Sequence, residues 1–208
     1  MKMKRVRCRQ RAALTLVAIT LSACATVRQP IPELSHSRSS GLAIEVTLRA
    51  PVGFLSATPE RIYFAKIDGN GPGRNQVIPS NYSKGGRVYL FNAEPGAYVA
   101  VATLSMRGTS RIITHFSKDL VEQTEVSVRE NEFAFMGSYR VDLSVGLDQE
   151  EGAPASWTDA LLMGLAGEYH YRGKLLERKN DEKARSEFFR AAKEDLAGSA
   201  WPRVFGKP

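Results

Sequence analysis

The chain reads as mainly β: an antiparallel β-sandwich of about seven or eight strands followed by a C-terminal α-helical hairpin. Three observations carry this. Between residues 42 and 147 apolar and polar residues alternate in short runs, the period of a strand with one buried face. Turn-forming residues interrupt those runs about every ten residues, the spacing of a sandwich. Beyond residue 152 the apolar period lengthens to that of a helix.

The elements follow in order. Leu42, Ile44, Val46 and Leu48 alternate with Ala43, Glu45 and Thr47 and form a first strand, ended by Arg49-Ala50-Pro51-Val52-Gly53. A second runs over Arg61–Ile67 into the loop Asp68-Gly69-Asn70-Gly71-Pro72-Gly73. That loop spaces Asp and Asn as a calcium loop does, but it lacks the distal glutamate and reads as a plain loop. Strands at Asn75–Ile78 and Arg87–Phe91 are linked through Ser83-Lys84-Gly85-Gly86, and another covers Val99–Leu104. Arg111–Ser117 and Val121–Val128 read as a hairpin. The clearest alternation is Phe133, Phe135, Gly137, Tyr139, Val141, Leu143 and Val145. At about fourteen residues it is far longer than an ordinary strand, and Gly137 is the natural place for a bulge or bend.

In the tail, Ser156 and Asp159 have capping-box spacing, and Trp157, Leu161, Leu162, Leu165, Ala166 and Tyr169 make one apolar helix face. A second helix runs from near Asp181 to Leu196, with Gly198 past its end and Ala184, Phe188 and Ala191 as its stripe, widened by Phe189 and Ala192. Trp201 and Phe205 are docking residues or an exposed contact; docking is favoured because large aromatics are usually spent on burial.

Glu94-Pro95-Gly96-Ala97-Tyr98 leads directly into an alternating strand. This corner resembles those of prealbumin-like and carboxypeptidase-regulatory-like β-sandwich modules, and the tyrosine corner of other sandwiches. The resemblance implies a fold class and no activity, with Tyr98 as a packing residue.

The N-terminus has a different character. Residues 1–23 hold six basic residues and no acidic one, so nearly all of the formal charge of +7 belongs to this segment. Of the 29 Lys and Arg, 23 remain beyond it against 22 acidic residues, a net of +1. A near-neutral body argues against nucleic-acid binding. After Arg11 comes an apolar run of about ten residues, too short to span a bilayer and suited to the core of a cleaved signal. It closes on Leu21-Ser22-Ala23-Cys24. This resembles the lipobox of bacterial lipoproteins and implies lipidation of Cys24 after removal of residues 1–23. Ala25 in the following position implies sorting to the outer membrane. Two or more acyl chains anchor stably where one is marginal. The only other cysteine, Cys8, lies within the leader, so no disulfide framework remains for the body. Residues 24–41, rich in Pro and Ser, read as the lipidated terminus and a flexible tether reaching roughly 20–25 Å. The body then divides into a sandwich at 42–147 and a helical segment at 153–208 packed on it.

No zinc-protease, nucleophile-elbow, phosphate-loop or dinucleotide motif is present, and the three histidines His36, His115 and His170 are scattered. The expectation is a protein without cofactor, metal or catalytic residues. It would be a non-enzymatic binding or structural module on the membrane, facing the periplasm or the cell surface, with an envelope protein or glycan as partner. The alternative is a carbohydrate- or peptidoglycan-binding module, and Tyr63, Tyr82, Tyr89 and Trp201 are the candidate binding surface. A hydrolase would need His115 or His170 in a cleft beside a carboxylate and a serine.

Overall fold

The computed structural model describes residues 29–49, 56–67, 76–108, 110–144 and 168–205. Cys24 and its lipobox, the 68–73 loop and the Ser156–Ala166 helix expectation lie outside them. The described chain is mainly β. Its strands are β1 (Ser40–Arg49), β2 (Ser56–Ala57), β3 (Arg61–Lys66), β4 (Val77–Pro79), β5 (Tyr82–Lys84), β6 (Arg87–Ala93), β7 (Gly96–Arg107), β8 (Ser110–Phe116), β9 (Val126–Val128), β10 (Phe133–Ser144) and β11 (Glu168–Lys179). Two helices, α1 (Lys118–Gln123) and α2 (Glu182–Asp195), and a 3-10 turn at Trp201–Arg203 complete it.

All eleven strands belong to one sheet, ordered β4-β3-β7-β8-β11-β10-β1-β6-β5, with β2 on β1 and β9 on β7. The expected two-sheet antiparallel sandwich is therefore corrected to a single mixed sheet, because β1 pairs with β10 and β8 with β11 in parallel. The sheet curls into a half-barrel. Its end strands, β4 and β5, are consecutive in the chain and joined only by Ser80 and Asn81. Ser80 holds β3 through Ser80 N to Ile62 O at 2.7 Å and Ile62 N to Ser80 Oγ at 3.0 Å. Asn81 holds β6 through a bond from its side-chain amide to Phe91 O and one from Phe91 N to its carbonyl oxygen, each 2.9 Å. One bent segment thus ties both ends of the sheet.

Curling gives the sheet two buried faces. The inner face gathers Leu42, Ile44, Val46, Phe64, Val88 and Tyr98 with the tyrosines of β11, and Leu120 of α1 plugs it. On the outer face Ala43, Tyr89, Phe91, Phe133 and Phe135 are covered by Phe188, Ala192 and Leu196 of α2 and by Trp201, Val204 and Phe205.

β10 explains how one alternating run serves both faces. Ala43 lies opposite Phe135 but Glu45 lies opposite Ser138, so β10 carries one extra residue at Gly137. Gly137 sits at φ +127°, where glycine alone is at ease, and a Cβ there would meet the Tyr139 ring at 3.0 Å. Before the bulge Phe133 and Phe135 face outward; after it Tyr139, Val141 and Leu143 face inward. At Gly85-Gly86 both residues have positive φ, as a tight hairpin turn between β5 and β6 demands.

Three further expectations change. Lys118–Gln123 is helical, so Arg111–Ser117 and Val121–Val128 are no hairpin: β9 pairs with β7 instead. Glu168–Lys179 is a strand, so Tyr169 belongs to no helix face, and α2 is the one long helix among the described residues. In β11 the tyrosines and Gly173 point in while Glu168, His170, Arg172 and Lys174 point out, a period of two that the apolar spacing before it disguised. Finally, the tether to residue 41 is corrected for its described part. Residues 29–39 are held to the body, and β1 starts at Ser40. Trp201 Nε1 donates to Pro32 O at 2.6 Å, Gln29 to Asn81 O at 2.8 Å, and Asn92 Nδ2 to Glu33 O at 2.9 Å. Ile31 and Leu34 pack against the outer core. The prolines and serines that suggest a linker here satisfy a body they cross.

α2 starts where the sequence places it: Asp181 Oδ1 accepts from Ala184 N at 2.8 Å as its N-cap. Trp201 and Phe205 dock on the sheet beneath it.

Candidate functional site

The aromatics considered for a binding surface are placed unevenly. Tyr82, Tyr89 and Trp201 are buried in one cluster under α2 and the C-terminal turn, Tyr89 and Trp201 completely. Phe91 stacks against Tyr89 at 5.4 Å between ring centroids and meets Trp201 at 4.3 Å. These side chains hold elements together and present no platform to solvent. Tyr63 is half-buried on β3, away from them. Tyr98 is buried, and its hydroxyl donates to Glu94 O at 2.8 Å, the back-bond of a tyrosine corner.

At the C-terminal end of α2 Asp195 is buried with its charge. Arg87 grips it with two bonds, Nε to Oδ2 at 2.6 Å and Nη2 to Oδ1 at 3.1 Å, and the Tyr89 hydroxyl donates to Oδ2 at 2.9 Å. Lys84 Nζ stands 3.5 Å from Oδ1. The Asp195 bond drives the Arg87 pKa further above its ordinary value, while burial and the Asp195 charge raise that of Tyr89. A carboxylate opposes the dipole at a helix C-terminus, so these partners are what allow α2 to end there. Sequence reasoning missed this clamp, since its members are about a hundred residues apart.

Beside the clamp, α2 and the polar half of the outer sheet face enclose a cleft of about 330 Å³. Its sheet wall begins where the Gly137 bulge ends. There Ser138 is turned outward opposite Glu45 and donates to Glu45 Oε2 at 2.6 Å. Arg140 and Lys179 both reach Glu177, at 3.1 and 3.2 Å, and Arg87 approaches Glu45 at 3.9 Å. Its helix wall is Ala184, Phe188 and Ala191 with Glu187 beside them. The outward positions of β1 and β10 were the available signal: Glu45, Thr47 and Arg140 interrupt apolar strands on one face. A second recess, about 540 Å³, lies between Ile31–Leu34 and Ala197–Ala200.

Two of the three histidines are neighbours in space. His115 on β8 and His170 on β11 share a 2.9 Å Nε2···Nδ1 hydrogen bond with their rings nearly parallel. His170 Nε2 is 3.3 Å from Glu168, which also pairs with Arg111 at 3.2 Å. Glu168 accepting from Nε2–H leaves His170 Nδ1 to accept the His115 proton. Burial, then the charge of His170, lowers the His115 pKa. Both histidines are exposed on the sheet surface. His36 is exposed, its Nδ1 accepting from Arg38 N. Among the described residues no group of three or more His, Cys, Asp or Glu is arranged to hold a metal ion, and no helix is long and apolar enough to cross a membrane.

No protein-family model matches the chain, and neither a curated protein nor a solved structure is significantly similar to it.

Proposed function

We propose that the chain is a lipid-anchored lipoprotein of the bacterial outer membrane, a non-enzymatic binding or structural module whose partner is an envelope protein or glycan. The observation that carries the reading is the lipobox-like Leu21-Ser22-Ala23-Cys24 behind a basic, then apolar leader. The docked segment supports it and shortens the leash. Five peptide steps separate Cys24 from the held Gln29, at most about 18 Å of extended chain. An acylated Cys24 would therefore keep the body close to the headgroups, with the Gln29 and Asn81 end nearest the lipid. Kinship with prealbumin-like modules is supported by the Tyr98 corner, while the parallel pairs weigh toward a half-barrel variant. The glycan alternative loses its aromatic platform with the burial of Tyr82, Tyr89 and Trp201, and keeps only the polar cleft.

Fractionation tests the reading. Wild type should sediment with the outer membrane and resist salt extraction, and Cys24→Ser should be released to the soluble fraction or accumulate uncleaved. Equal membrane association of both forms would overturn it.

A further inference from the structure

We infer that the cleft between α2 and the outer sheet face is a binding site for a neutral, hydroxyl-rich ligand, a short glycan chain. The inference deepens the binding-module reading and rests on it for biological sense, but not for its test. Three features argue for this ligand chemistry.

Charge comes first. The lining holds three carboxylates, Glu45, Glu177 and Glu187, and three cations, Arg87, Arg140 and Lys179. Most are already committed: Glu177 bridges Arg140 and Lys179, while Arg87 is held by Asp195. An anionic ligand would have to displace these carboxylates to be neutralised, whereas a neutral one leaves the pairs intact.

Second, the fixed pairs present donors and acceptors side by side. Arg140, Lys179 and the Thr47 hydroxyl can donate, and the outward lone pairs of Glu45, Glu177 and Ser138 can accept. A sugar hydroxyl both donates and accepts, so a row of them matches such a wall.

Third, the facing wall is apolar. Ala184 and Ala191, half-buried along α2 with Phe188 buried between them, offer a short smooth strip to the C–H face of a pyranose ring. The volume of about 330 Å³ lies at the small end of ligand pockets, roughly 300–1,000 Å³. The bulge at Gly137 makes the site possible. Without it Ser138 and Arg140 would face the inner core and the cleft would have no polar wall.

Calorimetric titration of the full chain in zwitterionic detergent with chitotriose, maltotriose and cellotriose tests the proposal without requiring membrane attachment. At least one trisaccharide should bind at or below about 1 mM, with affinity changing less than about twofold between low and high salt. Ala184→Trp, which fills the cleft from its helix wall, should weaken that binding at least about tenfold. Ala191→Trp, from further along the same wall, should do the same, with the thermal transition of the better-folded variant near wild type. No binding by any of the three sugars at about 10 mM, or binding untouched by both tryptophans, overturns the proposal. So does a steep salt dependence, which would mark a charged ligand. Loss of sugar binding leaves the fractionation result standing, and loss of anchoring leaves sugar binding measurable.

Discussion

The residue that most constrains the outer face is Asp195. It is about 5% exposed on its side chain and engages a bidentate arginine and a tyrosine hydroxyl. Removing one partner of such a pair strands the other's charge, at a cost of about 3–5 kcal/mol. Asp195→Ala is therefore expected to lower the urea midpoint by several kcal/mol's worth of stability. In a double-mutant cycle Arg87→Met should recover part of that loss, because the stranded guanidinium is then gone. The histidine pair gives a second prediction at this scale. His115 is lowered from the ordinary value near about 6.5, so the unfolded chain takes up a proton before the folded one does. Its contribution is then intact above about pH 7 and is lost as pH falls from about 6.5 through the lowered folded value. Thermal melts across this range should show wild type losing stability on acidification with a steeper slope than His115→Gln. Parallel slopes would show that the pair shares its proton without cost.

At the scale of elements, β10 decides the fold. Gly137→Ala forces a side chain into φ +127° and against the Tyr139 ring, and should cost about 1–3 kcal/mol in denaturant unfolding. This bulge was legible in the sequence because fourteen alternating residues are too long for one strand and carry a single glycine. β1, β3, β6 and the start of α2 were legible for similarly local reasons. β11 was not. Tyr169 continues the i, i+4 spacing of Leu161 and Leu165, and only the outward row of Glu168, His170, Arg172 and Lys174 betrays the strand. Nor was α1, since Leu120 and Val121 also fit a hairpin and a six-residue helix carries little periodicity. Parallel pairing of β1 with β10 joins residues about ninety positions apart, which no local pattern specifies. The cleft was invisible for the same reason: it assembles β1, β6, β10, β11 and α2.

For the whole molecule, the N-terminal segment, the outer aromatic core and the C-terminal turn form one fastening. Trp201 is its centre, fully buried between Phe91 and Phe133 and bonded to Pro32 O. Trp201→Ala should cost about 3–5 kcal/mol. It should also expose residues 29–39 to limited proteolysis before the sheet unfolds, since their strongest tie is removed. Uniform protection until global unfolding would show that the segment is held instead by its Gln29 amide and by the Asn92 amide of β6. This fastening gives the proposed anchor its mechanical meaning: lipid on Cys24 would be coupled to a rigid body through a few residues and not through a long tether. Metabolic labelling with an alkyne palmitate analogue, comparing wild type with Cys24→Ser, tests that claim most directly. Label is expected on the wild-type protein at the mass of a chain beginning at residue 24, and none on the variant. Equal labelling of both, or an unlabelled wild-type chain retaining residues 1–23, would contradict it.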